Sequence, residues 1–540
     1  MIDRLKTATP KKTMALVLAL TAALGPTAMP AVAEPSSATA TPIQHLVVIF
    51  QENVSFDHYF GTYPVATNPN GEPKFTAAPN TPTVNGLNNA LLNMNPNLNP
   101  VNGAAASNPF RLDRSQAVTG DQDHDYTAEQ RAFDAGLMDL FPLDAGFNAK
   151  TVMGYFDGNT VTAEWNYAQF FAMSDNSFST TFGPSTPGLI NLVSGQTNGV
   201  IATKNGTGDE VSGGTDGSLT LIGDADPLGD VCSNPTRAQA TLGSKNIGDL
   251  LSAAGVTWGS FMGGFNLSIV NPNGSKGCKR SSAGLAGTTG DYIPHHSFFN
   301  YYTSTANYAH TRPASISEIG NAGPANHQYD LQDFFDAASA GNLPAVSFLK
   351  AQAFQDGHAG YSDPLDEQTF LVNTVNFLES LPTWNSTAVV VLYDDSDGWY
   401  DHQMGPMVNT STGPADALTG PGACGMATTA LPGLNPALPH ALGRCGYGPR
   451  QPLLVISPYA RRNFVDHSVT DQTSIIRFIE DNWLSGERIG SGSFDAIANS
   501  LTQMFNFDRI RHDSVLILNP STGEKQHEHD SDDDRHDSDH

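Results

Sequence analysis

Short apolar runs that alternate with segments of helical spacing are the feature that most limits how this chain can fold. A continuous apolar run is typical of a parallel strand that is buried on both faces. Five such runs predict strands, at residues 43–50, 256–262, 345–349, 388–393 and 453–457. Four helical patterns lie among them, at residues 246–254, 331–340, 367–381 and 474–484. The alternation predicts an α/β fold in which a mostly parallel central sheet is flanked by helices on both faces.

Three stretches that are rich in loop-forming residues interrupt this alternation. Residues 67–108 are dense in Asn, Pro and Gly, with a short helical pattern near 87–92, and residues 200–235 and 404–450 are rich in Gly. Such composition is typical of loops. We therefore expect loop-rich surface insertions within a single catalytic domain that covers residues 34–520.

The C-terminal segment, residues 521–540, ends in HEHDSDDDRHDSDH and has no apolar residue after position 526. Its composition predicts a disordered acidic tail, because the segment offers nothing to bury. Histidine and aspartate side chains can bind divalent metal loosely, although a solubilising tail is the simpler interpretation of this composition.

The N-terminus has the three parts of a secretory signal peptide, which we predict over residues 1–33. Positive charges come first, an apolar stretch follows at residues 14–24, and Ala31-Val32-Ala33 provides a cleavage site. The positive residues are Arg4, Lys6, Lys11 and Lys12. A transmembrane helix needs roughly 20 apolar residues, so neither this stretch nor any later one is expected to span a membrane. We therefore expect an exported protein, either periplasmic or secreted.

Charge and cysteine content narrow the choice of partners and ligands. The formal net charge of −27 argues against nucleic acid or an anionic membrane held by bulk electrostatics. The four cysteines, Cys232, Cys278, Cys424 and Cys445, fit an exported protein. Two local disulfides are the simplest of three possible connectivities. The sequence contains no CxxC, so a cysteine-ligated zinc site is not expected.

Two of the predicted strands end in acidic residues. One is followed by Glu52 and Asn53, and another is followed by Asp394 and Asp395. In open parallel sheets, ligands bind at the carboxyl ends of strands. Close carboxylates cannot all stay ionised without a cation, and oxygen-rich ligation suits a hard or borderline divalent ion. The pattern predicts a divalent metal site, although acids at a strand end can also simply face water.

Ser185 lies in TTFGPSTPGLINLVSGQTNG, residues 180–199, just before an apolar run that predicts a helix. A serine at this place is most often an N-cap. The same place also receives anionic groups well, because backbone N–H groups and the helix dipole point at it. A serine hydroxyl is a weak nucleophile until a base or a metal activates it. A metal held by Glu52, Asp394 and Asp395 would supply that activation.

Several histidines lie in polar or turn-like sequences rather than on apolar helix faces. They are His124 in DQDHDY, His295 and His296 in YIPHHSFFNYY, and His358 in QDGHAGYSDP. A single histidine in such a context is more often structural or exposed than functional. Several of them together predict charge-assisted donors to a phosphate group, or metal ligands.

Four ordered motifs resemble the bacterial acid phosphatase and phospholipase C family, which belongs to the alkaline phosphatase superfamily of phosphoesterases. They are HLVVIFQENVSFDHYFGTYP, GPSTPG with LVSGQT, PHHSFFNYY and YDDSDGWYDH. The sequence SPYARRNFVDHSVTDQTSIIRFIEDNWL, at residues 457–484, is similar to the C-terminal region of that family. The resemblance runs from about residue 43 to residue 484 and implies an alkaline-phosphatase-like fold.

The resemblance also implies a role for each matched residue near the strand ends. Glu52, Asp394 and Asp395 match metal ligands of the family, and the metal itself is a divalent ion whose identity the resemblance leaves open. Ser185 matches the nucleophile, which also contacts the metal and forms a covalent phosphoenzyme. Asn53 matches the residue that contacts the phosphoryl oxygens.

The histidines match those that surround the phosphate in the family. The resemblance implies catalytic roles for His296 and His358 and a substrate-binding role for His124. His295 can bind substrate or take the place of His296, because the doublet leaves the register open. Two further residues lie in a matched motif, and their roles stay open: Asp401 and His402.

The resemblance implies an exported, metal-dependent phosphoesterase. Ser185 and DDSDGWYDH favour an acid phosphatase that hydrolyses phosphate monoesters through a phosphoserine, since phospholipase C members tend to carry threonine and Asp-Glu-Gly-Gly there. If a histidine must be protonated to hold the phosphate, activity should favour mildly acidic pH. A phospholipase C-type phosphodiesterase that acts on phospholipid headgroups is the alternative enzyme.

Two alternatives do not involve hydrolysis. The first is an exported protein that captures metal through its acidic tail, and it predicts metal binding that disappears when residues 527–540 are removed. The second is a degenerate enzyme that only binds phosphate esters. Every polar group expected of an active enzyme is present in the sequence, which favours hydrolysis of small phosphate esters or phospholipid headgroups.

Overall fold

The computed structural model of the protein describes residues 39–526, apart from 207, 209, 214–218, 419–422, 427–430 and 435–441. The predicted signal peptide and the acidic segment from residue 527 onward lie outside the described residues. Within the described part of the chain, no helix is both long enough and apolar enough to cross a membrane.

A nine-stranded sheet lies at the centre of the described chain. Its strands, numbered in chain order, are β1 (His45–Gln51), β2 (Ala172–Phe178), β3 (Trp258–Met262), β4 (Gln328–Asp330), β5 (Val346–Lys350), β6 (Thr387–Tyr393), β7 (Arg450–Ile456), β8 (Phe464–Asp466) and β9 (Thr470–Asp471). Their spatial order is β4-β3-β5-β1-β6-β7-β2-β8, and β9 also pairs with β2. Strand β1 therefore lies in the interior of the sheet, between β5 and β6.

The sheet is mixed, because β7 runs antiparallel to both of its neighbours, β6 and β2. The other strand pairs of this sheet are parallel. The prediction of an α/β fold with a large central sheet flanked by helices is confirmed. The prediction of a mostly parallel sheet is not confirmed, because the sheet is mixed. A strand buried on both faces has the same apolar sequence in either direction, so the sequence does not indicate that β7 is reversed.

Helices cover the sheet. In the described residues they are α1 (Phe56–Phe60), α2 (Asn89–Asn93), α3 (Tyr126–Phe133), α4 (Phe141–Asp144), α5 (Thr162–Phe170), α6 (Ser185–Ser194), α7 (Ile247–Ala254), α8 (Leu331–Ser339), α9 (Pro364–Glu379) and α10 (Thr473–Trp483). Helices α7 to α10 coincide with the four helical patterns of the sequence. Helix α6 packs against α7 and α10, and α5 packs against α9.

Burial of the central strands explains which of them the sequence predicts. Every residue of β6 is buried, and so is every residue of β1 after His45. These two strands therefore have continuous apolar sequences, as do the other predicted strands. Strand β2, with the sequence AMSDNSF, carries several polar residues, and the apolar pattern misses it.

Both predicted disulfides are present. Cys232 is bonded to Cys278, and Cys424 is bonded to Cys445. A cross-link of this kind stabilises a protein chiefly by restricting its unfolded chain. Each disulfide begins in one of the predicted insertions and therefore ties that segment locally.

Candidate active site

Polar side chains from neighbouring strand ends meet at one edge of the sheet. Glu52 and Asn53 follow β1, and Asp394 and Asp395 follow β6, so the parallel pairing of these strands brings both pairs together. Strand β7 is antiparallel to both β6 and β2, so β2 runs in the same direction as β6 and β1. Ser185 follows β2 and therefore reaches the same edge of the sheet. All five residues are at most 1% exposed. The sheet thus produces the convergence of acids that the sequence predicts.

Ser185 is the first residue of α6, and its hydroxyl donates a hydrogen bond of 3.1 Å to Oε2 of Glu52. Pro184 is the N-cap residue, so Ser185 does not have the capping role that a serine near a helix start usually has. The first turn of a helix carries N–H groups without helical partners and the positive end of the dipole. Ser185 therefore places a hydroxyl beside a position that favours an anion.

Backbone N–H groups fix the two aspartates that follow β6. Oδ1 of Asp394 accepts the N–H of Asn53 at 3.2 Å and that of Asp395 at 2.9 Å. Oδ1 of Asp395 accepts the N–H of Asp397 at 2.7 Å. Asn53 has a φ of 58°, a left-handed conformation that asparagine tolerates better than most residues. One oxygen of each aspartate is therefore held by the backbone, and the other is left for further partners.

Gly188 brings α6 close to the end of β6. A Cβ atom added at Gly188 would lie 2.1 Å from the carbonyl oxygen of Asp394, a backbone atom that cannot move without shifting the two aspartates. The absence of a side chain therefore lets the helix that carries Ser185 approach the metal-ligand candidates. This contact sets the distance between the serine and the acids.

Gly188→Ala is expected to destabilise the protein by roughly 1–3 kcal/mol or more, the usual cost of overpacking a tight contact. Activity should fall as well, because α6 must move away from Asp394. Thermal unfolding and turnover of a phosphate ester would measure both effects. Gly290→Ala is the matched control, since its added Cβ would meet other atoms only at 3.9 Å and beyond. Equal behaviour of the two variants would contradict the expectation.

A buried lysine and a further aspartate complete the acidic cluster, and the sequence analysis misses both. Lys350, the last residue of β5, contacts Oε1 of Glu52, and its Nζ lies 3.4 Å from Oδ2 of Asp394. The backbone carbonyl of Asp356 accepts the N–H of Glu52 at 2.8 Å, and its Oδ2 lies 4.0 Å from Nδ1 of His296. Lys350 ends β5 and Asp356 lies further along the chain, so neither is an acid directly after an apolar run, the signal that identifies the acids after β1 and β6.

Burial raises the pKa values of the carboxyl groups in this cluster. It raises the pKa of Glu52 to about 7 and that of Asp395 to about 8. It also raises the pKa values of Asp394 and Asp356 well above the usual range. Burial alone would lower the pKa of Lys350, but the carboxylates of Asp394, Glu52 and Asp356 outweigh it and raise that pKa. Carboxyl groups in such surroundings ionise more readily beside an added cation.

The structure separates the two histidines of the PHH sequence. Nδ1 of His296 lies 3.2 Å from Oε1 of Glu52. The ring nitrogens of His295 instead lie 3.7 Å from an oxygen of Asp224 and 3.6 Å from one of Asp226. Burial lowers the pKa of His296 well below the usual value, and the neighbouring His295 lowers it further. His296 is therefore the member of the doublet that contacts a predicted metal ligand, and it does so as a neutral imidazole.

His124 and His358 lie together on the side of Asn53. Their ring centroids are 5.9 Å apart, and Nε2 of His124 lies 3.4 Å from Nδ2 of Asn53. Nδ1 of His124 lies 3.5 Å from Oδ1 of Asp397. Burial would lower the pKa of His124, but Asp395 and Asp397 raise it well above its ordinary value. Burial, assisted by His124, lowers the pKa of His358 to about 4, so the pair combines a protonated ring with a neutral one.

Among the described residues, four groups of side chains have donor atoms close enough to hold a metal ion, and two of these groups include residues predicted for the site. These two are Glu52, His296 and Asp356, and Asp121, His124, His358 and Asp397. Among the described residues, no hydrogen-bond donor reaches the buried oxygens Oδ1 of Asn53 and Oδ2 of Asp395. Buried oxygens of this kind beside ionisable carboxylates suit a hard divalent cation. The chemistry of these residues therefore fits a divalent cation, but of the predicted ligands only Glu52 belongs to one of the two groups.

Asp401 and His402 belong to a separate buried ion network. Nδ1 of His402 lies 2.6 Å from Oδ2 of Asp57, and Arg450 lies 3.1 Å from both Asp57 and Asp401. This network joins α1, the loop after β6 and the first residue of β7. These contacts favour a structural role, in which Asp401 and His402 hold the loops that carry the site.

Comparison with protein families and curated proteins gives consistent matches. The sequence profile of the Phosphoesterase family matches residues 43–484. The chain is 26% identical over 482 residues to the non-hemolytic phospholipase C of Pseudomonas aeruginosa, which covers 86% of this chain and 57% of the relative. It is 25% identical over 493 residues to phospholipase C B of Mycobacterium tuberculosis, covering 88% of this chain and 80% of the relative.

A similar match comes from a plant protein. The chain is 24% identical over 505 residues to the non-specific phospholipase C6 of Arabidopsis thaliana, covering 87% of this chain and 75% of the relative. The chain spans only 57% of the length of the two Pseudomonas relatives that it matches. The family match, at residues 43–484, includes every residue of the site described above.

Proposed function

The chain belongs to the Phosphoesterase family, and on this basis we propose that it is an exported, metal-dependent hydrolase of phosphoric esters. The observation that carries the proposal is the hydrogen bond from Ser185 to Glu52 at the start of α6, among buried carboxyl groups that fit a divalent cation. A serine so placed has the surroundings of a nucleophile rather than of a helix cap.

The proposed reaction begins at the hydroxyl of Ser185. Its Oγ attacks phosphorus, the bond between phosphorus and the ester oxygen breaks, and a phosphoserine forms. The hydroxyl proton passes to Oε2 of Glu52 as Oγ attacks, and the ester oxygen leaves as an alcohol with a proton from His124. Water then cleaves the phosphoserine and releases phosphate. The N–H groups and dipole of the first turn of α6 favour the anionic phosphoryl group throughout.

Polar groups on both sides of Ser185 would bind the phosphoryl group. Asn53 and His124 lie next to each other, and a protonated His124 supplies a charge-assisted donor to the phosphoryl oxygens or to the departing ester oxygen. His358 lies beside them, and His296 would orient Glu52. His295 faces Asp224 and Asp226, so in this proposal it supports substrate binding from the margin of the site.

A divalent ion would be held by Glu52, Asp394, Asp395 and the hydroxyl of Ser185, with Asp356 as a further candidate. When bound, it would lower the pKa of the serine hydroxyl and balance charge on the transferred group. The protein's own contribution is to hold these oxygens in place through the backbone contacts described above. We also propose that the arrangement is alkaline-phosphatase-like, as the sequence resemblance implies.

The nature of the ester is the part of the proposal that most needs a test. Ser185 and the Asp394-Asp395 pair favour a phosphate monoester, whereas the relatives are named phospholipases C. A phosphodiesterase acting on phospholipid headgroups is therefore the second candidate. Export is part of the same proposal, supported by the leader-like sequence and by two disulfides, which persist in oxidising compartments.

The deciding experiment compares a chromogenic phosphate monoester with phosphatidylcholine in micelles, from pH 5 to 9, with added divalent metal. We expect a kcat/KM at least about tenfold higher for the monoester, equivalent to about 1.4 kcal/mol. Release of the headgroup with little hydrolysis of the monoester would contradict the monoesterase proposal and favour a phospholipase C-type phosphodiesterase. Hydrolysis of neither, across metals, would favour a binding protein.

A further inference from the structure

Lys350 is the one buried cationic side chain of lysine or arginine type that, among the described residues, forms ion pairs with the acidic cluster. It is 1% exposed, contacts Glu52, and reaches Asp394. Four carboxyl groups of the cluster are completely buried: Glu52, Asp356, Asp394 and Asp395. Buried arginine side chains form ion pairs with other acids; Arg450, for example, pairs with Asp57 and Asp401. The proposed mechanism above does not use Lys350.

The simplest interpretation is that Lys350 only stabilises the fold as one half of a buried ion pair. Such pairs often contribute little net stability, because removing both charges from water costs about as much as their attraction returns. Lys350 also ends a central strand, at the edge of the sheet that carries the site. Its charge therefore acts on the site itself.

The site holds more negative charge than one divalent cation can balance. Four carboxylates exceed what one divalent cation can neutralise, so metal alone would leave the site negative and repel a phosphate group. One ammonium group in contact with Glu52 and close to Asp394 removes one unit of that excess. Charges at such distances interact by several kcal/mol at the dielectric constants typical of partly buried sites.

We propose that Lys350 is a positioning residue that balances the acidic cluster, limiting its affinity for metal so that the metal-loaded site can still accept phosphate. The inference rests on the proposed function, since it concerns the same site. It gives Lys350 opposite effects on the two ligands. A fixed positive charge weakens the binding of a cation and strengthens the binding of an anion, whatever else it does for the fold.

The test measures Mn²⁺ binding and inorganic phosphate binding separately in the full-length protein. Calorimetric titration gives the Mn²⁺ affinity of the metal-free protein and then the phosphate affinity of the Mn²⁺-saturated protein. For Lys350→Met we expect Mn²⁺ to bind about tenfold more tightly and phosphate about tenfold more weakly. The control Lys204→Met removes an exposed lysine and should change neither affinity more than about twofold.

A second variant tests the charge balance itself. Lys350→Gln also removes the charge but keeps a polar side chain beside Glu52 and Asp394, so it should shift both affinities in the same directions as Lys350→Met. This variant carries the test if Lys350→Met does not fold.

The outcomes separate the role of Lys350 from the proposed function. A Lys350→Met variant that loses affinity for both ions, or changes neither, overturns the role assigned to Lys350. A folded Lys350→Gln variant with both affinities within about twofold of the parent does the same. A parent that binds neither Mn²⁺ nor phosphate instead overturns the proposed function, whatever the variants show.

Discussion

Replacing Ser185 with alanine is expected to lower turnover of a phosphate ester at least about a thousandfold, because the proposed nucleophile is removed. The fold should remain, since the substitution deletes one buried hydroxyl and leaves only Oε2 of Glu52 without that donor. Loss of one such hydrogen bond costs on the order of 1 kcal/mol. Steady-state kinetics and thermal unfolding would measure the two effects separately.

The control for this prediction is Ser194→Ala, at the other end of the same helix. The hydroxyl of Ser194 donates to the backbone carbonyl of Lys245 at 2.7 Å, away from the site. Its loss should change stability but leave turnover within about twofold of the parent, because it touches no reacting group. Acid quenching during turnover should also trap a phosphorylated Ser185 peptide in the parent. A Ser185→Ala variant that keeps its activity would remove the nucleophile assignment.

Removal of metal should have the second largest effect. We expect a chelator to abolish hydrolysis and a divalent ion to restore it, because the buried carboxyl groups and Ser185 depend on a cation to work as one site. Glu52→Gln should reduce turnover at least about a hundredfold, since it removes a proposed ligand and the negative acceptor of the Ser185 hydroxyl. Activity assays with and without metal, together with Mn²⁺ titration, would check both statements.

A buried glutamate far from the reacting groups provides the control for Glu52. Both carboxylate oxygens of Glu379, at the end of α9, accept the N–H of Leu516, at 3.1 and 3.0 Å. Glu379→Gln is equally isosteric and should leave metal binding unchanged. Full activity of the parent in excess chelator would contradict the metal requirement and with it the role of Glu52.

Much of the central sheet could be predicted because its strands are buried on both faces. Burial forces a continuous apolar sequence on β1 and β6, and that sequence can be recognised without a structure. The direction of β7 could not be predicted, because an apolar sequence does not indicate whether a strand runs parallel or antiparallel to its neighbours. The apolar pattern misses β2 for another reason, because its polar residues make contacts with distant parts of the chain, such as that of Asp175 with His467.

The candidate site, like the sheet, could be predicted only in part. Acids at the ends of two apolar runs indicate convergence, and the structure brings Glu52 and Asp394 to one place with Ser185. Lys350 and Asp356 were missed, because a lysine after a strand gives no signal until the neighbouring acids are placed in three dimensions. The roles of His295 and His296 also required coordinates, since their separation depends on which ring turns toward Glu52.

The reversed direction of β7 has a consequence for how this protein can diversify. Because β6 and β7 are antiparallel, the long segment between them leaves and re-enters the sheet at the edge that carries the site. Asp401 near its start and Arg450 at its end are bonded to each other, which closes the base of the segment. A change in the length of the segment between these two residues would therefore leave the strand order of the sheet unaltered, because both of its ends are fixed at one edge.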